Sequence, residues 1–255
     1  MSDNKRRNFL KKGALLMSAY SVSANAFSME NPGRDLKEKR YVGQEGKRFA
    51  MVIDLRKCIG CHACTSSCKT ENKVPLDKFR TNVAEFEIGE FPNVRKAFLP
   101  QLCNHCENPS CVSVCPTGAT FSRKDGIVVV DSDICWGCGY CVNACPYDKR
   151  FINPVTKVVD KCTLCAHRLD NGLLPACVET CVGGARVSGD LNDDNSEISK
   201  LLNQFPSYVL KEGSGTKPRV FYIGLNGQLL DKVASMDVLK LRDKTLENNW
   251  ISKGE

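Results

Sequence analysis

Short apolar stretches, flanked by polar residues that favour turns, recur along the chain. Residues 49–53 and 127–130 are rich in apolar and β-branched side chains. Asp54 follows the first stretch, and Asp125-Gly126 precedes the second. Runs of this length with such flanks are typical of β-strands beside a turn. The pattern therefore predicts one strand at each position.

Three later segments also have a clear pattern. "DKRFINPVTKVVDKC" predicts a hairpin around Asn153-Pro154, and "KPRVFYIGL" predicts another strand. "DDNSEISKLLNQF" predicts a helix that faces the core, with Asn195 or Ser196 as its N-cap. The apolar residues at helical spacing in this segment are Ile198, Leu201, Leu202 and Phe205. The last fifteen residues are mostly polar and predict a tail or a docking segment.

Cysteine usage changes this picture, because the chain has sixteen cysteines and all of them fall into four quartets. The quartets are Cys58, Cys61, Cys64 and Cys68; Cys103, Cys106, Cys111 and Cys115; Cys135, Cys138, Cys141 and Cys145; and Cys162, Cys165, Cys177 and Cys181. The first and third share the spacing C-x2-C-x2-C-x3-C. Their surroundings also repeat, since "VIDLRKCIGCHACTSSC" aligns with "VVDSDICWGCGYCVNAC" at an offset of 77 residues. We expect a repeated unit of strand, ligand loop and short helix.

This spacing is typical of bacterial ferredoxins that hold two [4Fe-4S] clusters. Three closely spaced cysteines wrap one cluster, and the fourth ligates the other cluster of the pair. Proline commonly follows the fourth cysteine, as at Pro116 and Pro146, whereas Lys69 and Val182 depart from the pattern. Gly60 and Gly137 lie inside the loops, where we expect a side chain to crowd the cluster.

Two other uses of cysteine are weaker alternatives. Structural zinc sites have two separated C-x2-C pairs, which only the fourth quartet resembles. A disulfide scaffold would suit an exported chain, but it does not explain four ligand-spaced quartets. For His62, His105 and His167 we expect packing around a cluster or hydrogen bonds to its sulfur. Trp136 and Tyr140 either shield the third loop from water or belong to an ordinary core.

The formal charge of +7 does not indicate nucleic-acid binding. Residues 1–26 hold five basic residues against Asp3, so the rest of the chain carries +3. Each cluster with its thiolates would add a charge of about −2. No basic stripe with interleaved aromatic residues occurs, so we expect no nucleic-acid partner.

Residues 1–26 have the three parts of an export signal: a basic start, an apolar stretch and Ala24-Asn25-Ala26. The Arg6-Arg7 pair resembles the bacterial twin-arginine signal, which exports folded proteins. The apolar stretch is shorter than the roughly 20 residues that span a bilayer. We therefore expect a periplasmic protein, with no membrane span of its own, that reaches the membrane through a partner.

The sequence contains no G-x-S-x-G or H-E-x-x-H motif, and "GQEGKR" lacks the pattern of a phosphate-binding loop. "GGAR" at residues 183–186 predicts a turn after the last cysteine. Cluster ligands without a catalytic motif indicate a non-catalytic electron carrier.

The order and spacing of the quartets resemble the iron–sulfur subunit of the molybdopterin oxidoreductase family over residues 47–225. Within that family, "LCNHCENPSCVSVCPTGAT" and the run from Cys181 to Arg186 most resemble the subunits of tetrathionate reductases. The resemblance implies an α+β fold of two interleaved ferredoxin-like 2[4Fe-4S] modules with loop-rich connections. The implied parts are a signal (1–26), an N-terminal arm (27–47), an outer module (48–99 and 159–190), an inserted module (100–158) and a C-terminal extension (191–255).

The resemblance also implies four [4Fe-4S] clusters with crossed ligands. The implied sets are Cys58, Cys61, Cys64 and Cys181; Cys103, Cys106, Cys111 and Cys145; Cys135, Cys138, Cys141 and Cys115; and Cys162, Cys165, Cys177 and Cys68. The implied partners are a molybdopterin catalytic subunit and a membrane subunit that spans the bilayer several times and oxidises quinol. Similar subunits serve formate-dependent nitrite reduction, polysulfide or thiosulfate reductases and arsenate reductases, so those acceptors are alternatives to tetrathionate.

Overall fold

The computed structural model of the chain describes residues 41–225 and 227–229. The predicted export signal, residues 27–40 of the predicted arm and the predicted tail at residues 241–255 lie outside this range. Among the described residues, no helix combines the length and the apolar character that crossing a membrane requires.

Six α-helices of at least four residues and ten strands lie in the described part of the chain. The strands are β1 (Phe49–Asp54), β2 (Thr81–Ile88), β3 (Arg95–Leu102), β4 (Thr120–Ser122), β5 (Val128–Val130), β6 (Arg150–Ile152), β7 (Val159–Lys161), β8 (Arg186–Asp190), β9 (Ser207–Tyr208) and β10 (Val220–Ile223). The helices are α1 (Ala63–Asn72), α2 (Ser110–Ser113), α3 (Tyr140–Asn143), α4 (Ala166–Leu169), α5 (Ala176–Glu179) and α6 (Glu197–Gln204). A 3-10 turn spans Glu212–Ser214. This mixture of helices and strands agrees with the predicted α+β class.

Four strands form a mixed sheet in the order β8-β1-β10-β9. β1 pairs in parallel with β10 and antiparallel with β8, and β9 pairs antiparallel with β10. The other six strands form three two-stranded antiparallel pairs, β2–β3, β4–β5 and β6–β7. The predicted strands at residues 49–53 and 127–130 are confirmed as β1 and β5. The predicted hairpin around Asn153 is confirmed as β6–β7, and the predicted later strand as β10.

β1 is buried at every position because both of its faces are covered. Phe49, Met51 and Ile53 belong to the larger apolar cluster, whereas Ala50 and Val52 pack with α6. Strands buried on both faces have continuous apolar sequences. This burial explains why residues 49–53 contain no polar side chain.

Helix α6 has the predicted position and N-cap. Ser196 is the capping residue, and its hydroxyl accepts the Ser199 N–H at 3.2 Å. Ile198 is fully buried between this helix and the sheet. A Cβ at Gly189 of β8 would lie 2.8 Å from the Cγ2 atom of Ile198, so glycine allows the close approach. Helix and strand are thereby held in direct contact.

Replacing Ile198 with alanine should leave a cavity between α6 and the sheet. We expect the free energy of unfolding to fall by about 2–5 kcal/mol, measured by urea unfolding of the anaerobically purified protein. Lys200→Ala is the matched control, because Lys200 is exposed on the same helix. The control should change stability by less than about 0.5 kcal/mol. Equal losses in the two variants would contradict this role of Ile198.

Candidate iron–sulfur sites

All sixteen cysteines lie within the described residues, and all are free thiols. Eight are buried and six are partly exposed. Cys61 and Cys138 are the two that are exposed. Most of the thiols are therefore shielded from solvent, and their pKa values depend on the neighbouring protein groups.

One pocket, site A, is lined by cysteines from both ends of the described chain. Cys58 and Cys61 lie in the loop after β1, Cys64 lies in the first turn of α1, and Cys181 follows α5. The pocket and its open mouth together contain about 340 Å³ of space. Arg186 also lines it, so a buried cation faces the four thiols.

A second pocket, site B, contains about 290 Å³ of space together with its open mouth, and its lining includes Cys68, Cys162, Cys165 and Cys177. Cys68 lies four residues after Cys64 on α1, about 6 Å further along the helix axis. This distance allows α1 to supply one thiol to site A and another to site B. The predicted short helix around the third and fourth cysteines of the first quartet is confirmed.

The Asn72 side chain, at the end of α1, also faces site B. Its Nδ2 lies 3.6 Å from Cys68 Sγ and 3.9 Å from Cys165 Sγ. Arg80 holds the amide in place by donating to Asn72 Oδ1 at 2.8 Å. An amide N–H aimed at sulfur stabilises a thiolate more than a neutral thiol. The spacing of the cysteines gives no indication of this residue.

A third group, site C, consists of Cys103, Cys106, Cys111 and Cys145. Burial raises the pKa of Cys106 to about 12, and the other three thiols add to the shift by charge repulsion. Burial likewise raises the pKa of Cys145, with Cys103 as the next contribution. These effects place the four thiols within electrostatic range of one another.

The fourth group, site D, consists of Cys135, Cys138, Cys141 and Cys115. Cys135 and Cys141 contact the same small apolar cluster. Cys115 directly follows α2, and α2 packs against α3, which carries Cys141. The Ser110 hydroxyl of α2 ties the two helices together by donating to the carbonyl of Ala144 at 2.8 Å.

Backbone N–H groups donate to cysteine sulfur at three of the sites. Leu164 donates to Cys162 Sγ at 3.3 Å, Ala185 to Cys181 Sγ at 3.2 Å and Thr120 to Cys115 Sγ at 3.4 Å. Burial raises the pKa of Cys115, but hydrogen bonds from Thr120 and Thr117 outweigh it and lower the pKa to about 7. These donors favour the thiolate, which is the form that binds iron.

Left-handed backbone conformations precede three of the helices near the cysteines. His62 has φ 58° before α1, Gly139 has φ 78° before α3, and Cys165 has φ 50° before α4. A residue in this conformation next to right-handed turns directs successive N–H groups into a concave surface that binds anions. The cysteine loops therefore present N–H groups as well as thiols.

Protein atoms leave no room for a side chain at positions 60 and 137. A Cβ at Gly60 would lie 2.3 Å from the Phe98 ring, and a Cβ at Gly137 would lie 2.2 Å from the Lys157 carbonyl oxygen. Both residues also have positive φ angles, 72° and 68°. These contacts require glycine independently of a cluster, and the crowding of a cluster stays a prediction.

Three deeply buried cations lie beside these sites: Arg150 (5% exposed), Lys161 (1%) and Arg186 (3%). Arg150 donates to Thr120 Oγ1 and to Cys111 Sγ, and Arg186 donates to Thr81 Oγ1. Lys161 donates to two backbone carbonyls. None of the three pairs with a carboxylate in the described part of the chain.

An unpaired charge inside a protein is very costly, so these cations require an anion nearby. A [4Fe-4S] cluster with four thiolates supplies a charge of about −2. The buried cations, the N–H donors and the grouped thiols therefore fit iron–sulfur clusters.

Alternation along the strands is the signal that could have found one of these cations, Lys161. Val159 and Lys161 lie on the same face of β7, and both are buried. β8 shows no such alternation, because Arg186 and the adjacent Val187 are both buried. A basic residue on the inward face of a short strand indicates an internal counter-charge.

The ligand geometry also bears on the zinc alternative. Within residues 41–225 and 227–229, no three cysteine, histidine or carboxylate side chains converge closely enough to hold a single metal ion. A structural zinc ion needs four ligands at about 2.0–2.3 Å. A cube of four irons holds its thiolates further apart than a single zinc ion does.

The three histidines differ in their surroundings. His62 and His167 are surface residues whose Nε2 atoms pair with Glu85 at 3.2 Å and Glu71 at 2.7 Å. His105 is buried, and its Nδ1 accepts the Val128 N–H at 3.1 Å. His62 also lines site A, so the expected position around a cluster suits His62 and His105, whereas His167 pairs with a carboxylate at the surface.

Two aromatic residues in the third cysteine loop are not part of the core. Trp136 is 79% exposed and Tyr140 is 62% exposed. The alternative of ordinary core packing is wrong for both, and they lie on the surface next to site D.

Comparison with known proteins identifies two sequence families in the chain. A 4Fe-4S dicluster domain matches residues 94–191, and a 4Fe-4S binding domain matches residues 49–70. A tetrathionate reductase subunit of Salmonella typhimurium is 49% identical over 228 residues, which cover 88% of this chain and 90% of the relative. A tetrathionate reductase subunit of Archaeoglobus fulgidus is 43% identical over 80% of this chain and 93% of its own length. Protein NrfC of Escherichia coli is 49% identical over 70% of this chain and 81% of its own length.

Replacing Gly60 with alanine should place a methyl group against the Phe98 ring. We expect a clear fall in the thermal unfolding midpoint, because both the positive φ angle and the contact oppose a side chain. Gly118→Ala is the matched control, since Gly118 has φ 69° with no atom within 4 Å of an added Cβ. The control should lose less stability. Equal losses would assign the whole effect to the backbone angle.

Proposed function

The chain belongs to the family of iron–sulfur reductase subunits that includes the tetrathionate reductase subunits of Salmonella and Archaeoglobus, and on that basis we propose that it carries four [4Fe-4S] clusters. It conducts electrons from a quinol-oxidising membrane subunit to a molybdopterin catalytic subunit. The reduced substrate is tetrathionate. The observation that carries the proposal is the grouping of cysteines from distant segments around sites A and B.

That grouping supports crossed ligation in an outer module formed by residues 48–99 and 159–190. Three cysteines of the first quartet share site A with Cys181, and three of the fourth share site B with Cys68. Helices α1 and α5, which come from the two halves of this module, pack against each other. Each half therefore contributes thiols to both sites.

The same arrangement applies to the inserted module, residues 100–158. Cys103, Cys106 and Cys111 join Cys145 at site C, which the mutual effects on their pKa values support. Cys135, Cys138 and Cys141 join Cys115 at site D, which the packing of α2 against α3 supports. The repeat in the sequence predicts the same local structure at both pairs of sites.

When bound, such clusters supply one-electron oxidation and reduction. The protein's own contribution is to hold each group in place and to stabilise its negative charge. Arg150 supplies a charged N–H at 2.9 Å from Cys111 Sγ, and Ala185 supplies a neutral one at Cys181. Burial of Cys162 and Cys177 excludes water from site B. These are the factors by which a protein adjusts cluster potentials.

The partners are proposed from the relatives and from the chain's own ends. The relatives in Salmonella and Archaeoglobus are named as one subunit of a reductase, so further subunits carry the substrate chemistry there. The twin-arginine motif at Arg6-Arg7 supports export of the folded protein to the periplasm. Attachment to the membrane is then the task of a partner, and this chain has no catalytic role.

Tetrathionate is favoured as the acceptor by the length of the match. The Salmonella relative aligns over 88% of this chain, whereas Protein NrfC aligns over 70% at the same 49% identity. That identity makes formate-dependent nitrite reduction the second candidate.

Membranes with and without this protein should separate the candidates. We expect deletion to abolish quinol-dependent reduction of tetrathionate and to leave reduction by viologen dye intact. The dye reaches a catalytic subunit directly and therefore bypasses an electron carrier. Thiosulfate, polysulfide, arsenate and nitrite are assayed alongside. Loss of nitrite reduction alone would assign the protein to the second candidate, and retention of every quinol-linked activity would contradict the proposed role.

Cysteine variants on α1 test the crossed ligation. Cys68→Ser should alter the same EPR signal as Cys177→Ser, because both residues line site B. Cys64→Ser should instead alter the signal that Cys181→Ser alters, because both line site A. The two α1 variants control for each other, since they differ by one helical turn. A common signal affected by Cys64→Ser and Cys68→Ser would exclude crossing.

A further inference from the structure

The three buried cations without carboxylate partners each have contacts on two sides. Arg186 lines site A together with Cys58 and Cys64. Its Nη2 donates at 2.9 Å to Thr81 Oγ1, and Thr81 lines site B. Burial lowers the pKa of Arg186, but Cys177 of site B and Cys64 of site A outweigh burial and raise it. Arg186 therefore lies between sites A and B.

Lys161 has the corresponding position between sites B and C. Its ammonium group donates at 2.7 Å to the carbonyl of Cys162, a site B residue, and also to the carbonyl of Val128. The N–H of Val128 in turn donates to His105 Nδ1. In the sequence, His105 lies between Cys103 and Cys106 of site C. Burial lowers the pKa of Lys161, while Cys103 and Cys162 on its two sides oppose that shift.

Arg150 occupies the equivalent position between sites C and D. One guanidinium nitrogen lies 2.9 Å from Cys111 Sγ of site C. The other donates at 3.1 Å to Thr120 Oγ1, and the Thr120 backbone N–H donates to Cys115 Sγ of site D. Hydrogen bonds thus connect this one side chain to ligands of two sites.

From these contacts we propose that Arg186, Lys161 and Arg150, here called the gap cations, are counter-charges that neighbouring clusters share. Their contacts place the four sites in the series A–B–C–D with one cation in each gap. The inference rests on the proposed four-cluster function. It assigns a role to three residues that are not cluster ligands.

The exposure of the cysteines agrees with this series. The two exposed thiols, Cys61 and Cys138, belong to sites A and D, at the two ends. No cysteine of sites B and C, all of which the structure describes, is exposed. The ends of the series are thus the sites that partner proteins can approach, and the middle sites depend on the protein interior for charge compensation.

Sharing has a physical consequence for electron transfer. An electron that arrives on one cluster repels the charge on the next cluster, because both lie in a medium of low dielectric constant. A cation between them stabilises the reduced form of either cluster. Removing the cation should therefore lower the reduction potentials of both neighbours and leave the distant clusters unchanged.

Lys161→Met tests the central gap, because methionine is similar in length and carries no charge. The variant is purified anaerobically within its full complex, and the four midpoint potentials are measured by EPR-monitored titration. We expect the site B and site C clusters each to be about tenfold harder to reduce, which equals about 59 mV for a one-electron couple. Cys177→Ser and Cys106→Ser assign those two signals to their sites.

Two control variants separate charge from packing. Lys161→Arg keeps the charge and should restore both potentials, whereas Lys200→Met removes an exposed charge on α6 and should change none. If Lys161→Met assembles fewer clusters while Lys161→Arg assembles all four, the charge requirement is supported as well. A shift at one cluster only, an equal shift at all four, or an equal effect of arginine and methionine would overturn the proposal.

The other gaps extend the test, since Arg186→Met should move the A and B signals and Arg150→Met the C and D signals. These overlapping pairs define the series independently of any distance.

Measurements on the wild-type complex distinguish a failure of the shared counter-charge from a failure of the proposed four-cluster function. Four clusters, or about sixteen irons per chain, with unchanged potentials in the variants would overturn the shared counter-charge alone. Fewer than four clusters in the wild type would overturn the proposed function together with it.

Discussion

Bringing four thiols from distant segments to one place is the constraint on which the rest of this structure depends. Site A needs the loop after β1 and the turn after α5, and site B needs the second turn of α1 and the loop after β7. Four of the six helices in the described residues are only four residues long, and helices of that length are not stable alone. The short elements are held by their position around the thiols.

Charge inside the protein is the second part of the same constraint. Arg123, which is fully buried, pairs with Asp125 at 2.7 Å and Asp170 at 2.5 Å. Lys161 and Arg186 are equally buried, yet the groups that surround them are carbonyls, hydroxyls and thiols. Arg123 thus has carboxylate partners, whereas the partners of Lys161 and Arg186 within the described residues are uncharged groups and thiols.

The mixed sheet and α6 give this arrangement a rigid support. β1 is covered on both faces, and the first cysteine loop leaves its carboxyl end directly. Arg186 begins β8, which pairs with β1 in a register that sets Ile53 opposite it. The pairing of β1 with β8 therefore fixes both Arg186 and the first cysteine loop, and with them their relative position.

Much of the local structure was predictable from the sequence alone, because it depends on residues close together in the chain. Cysteine spacing identified the ligand loops, and runs of β-branched residues located β1 and β5. The capping residue Ser196 and the apolar periodicity of the residues after it located α6. Which thiols share a pocket followed only from resemblance to a family, and the sequence did not predict that Phe98 lies against Gly60. Arg186, Lys161 and Arg150 were not identified at all. Their role depends on contacts between residues far apart in the chain, such as Arg186 with Thr81 and Lys161 with Val128, and only the tertiary structure determines those contacts.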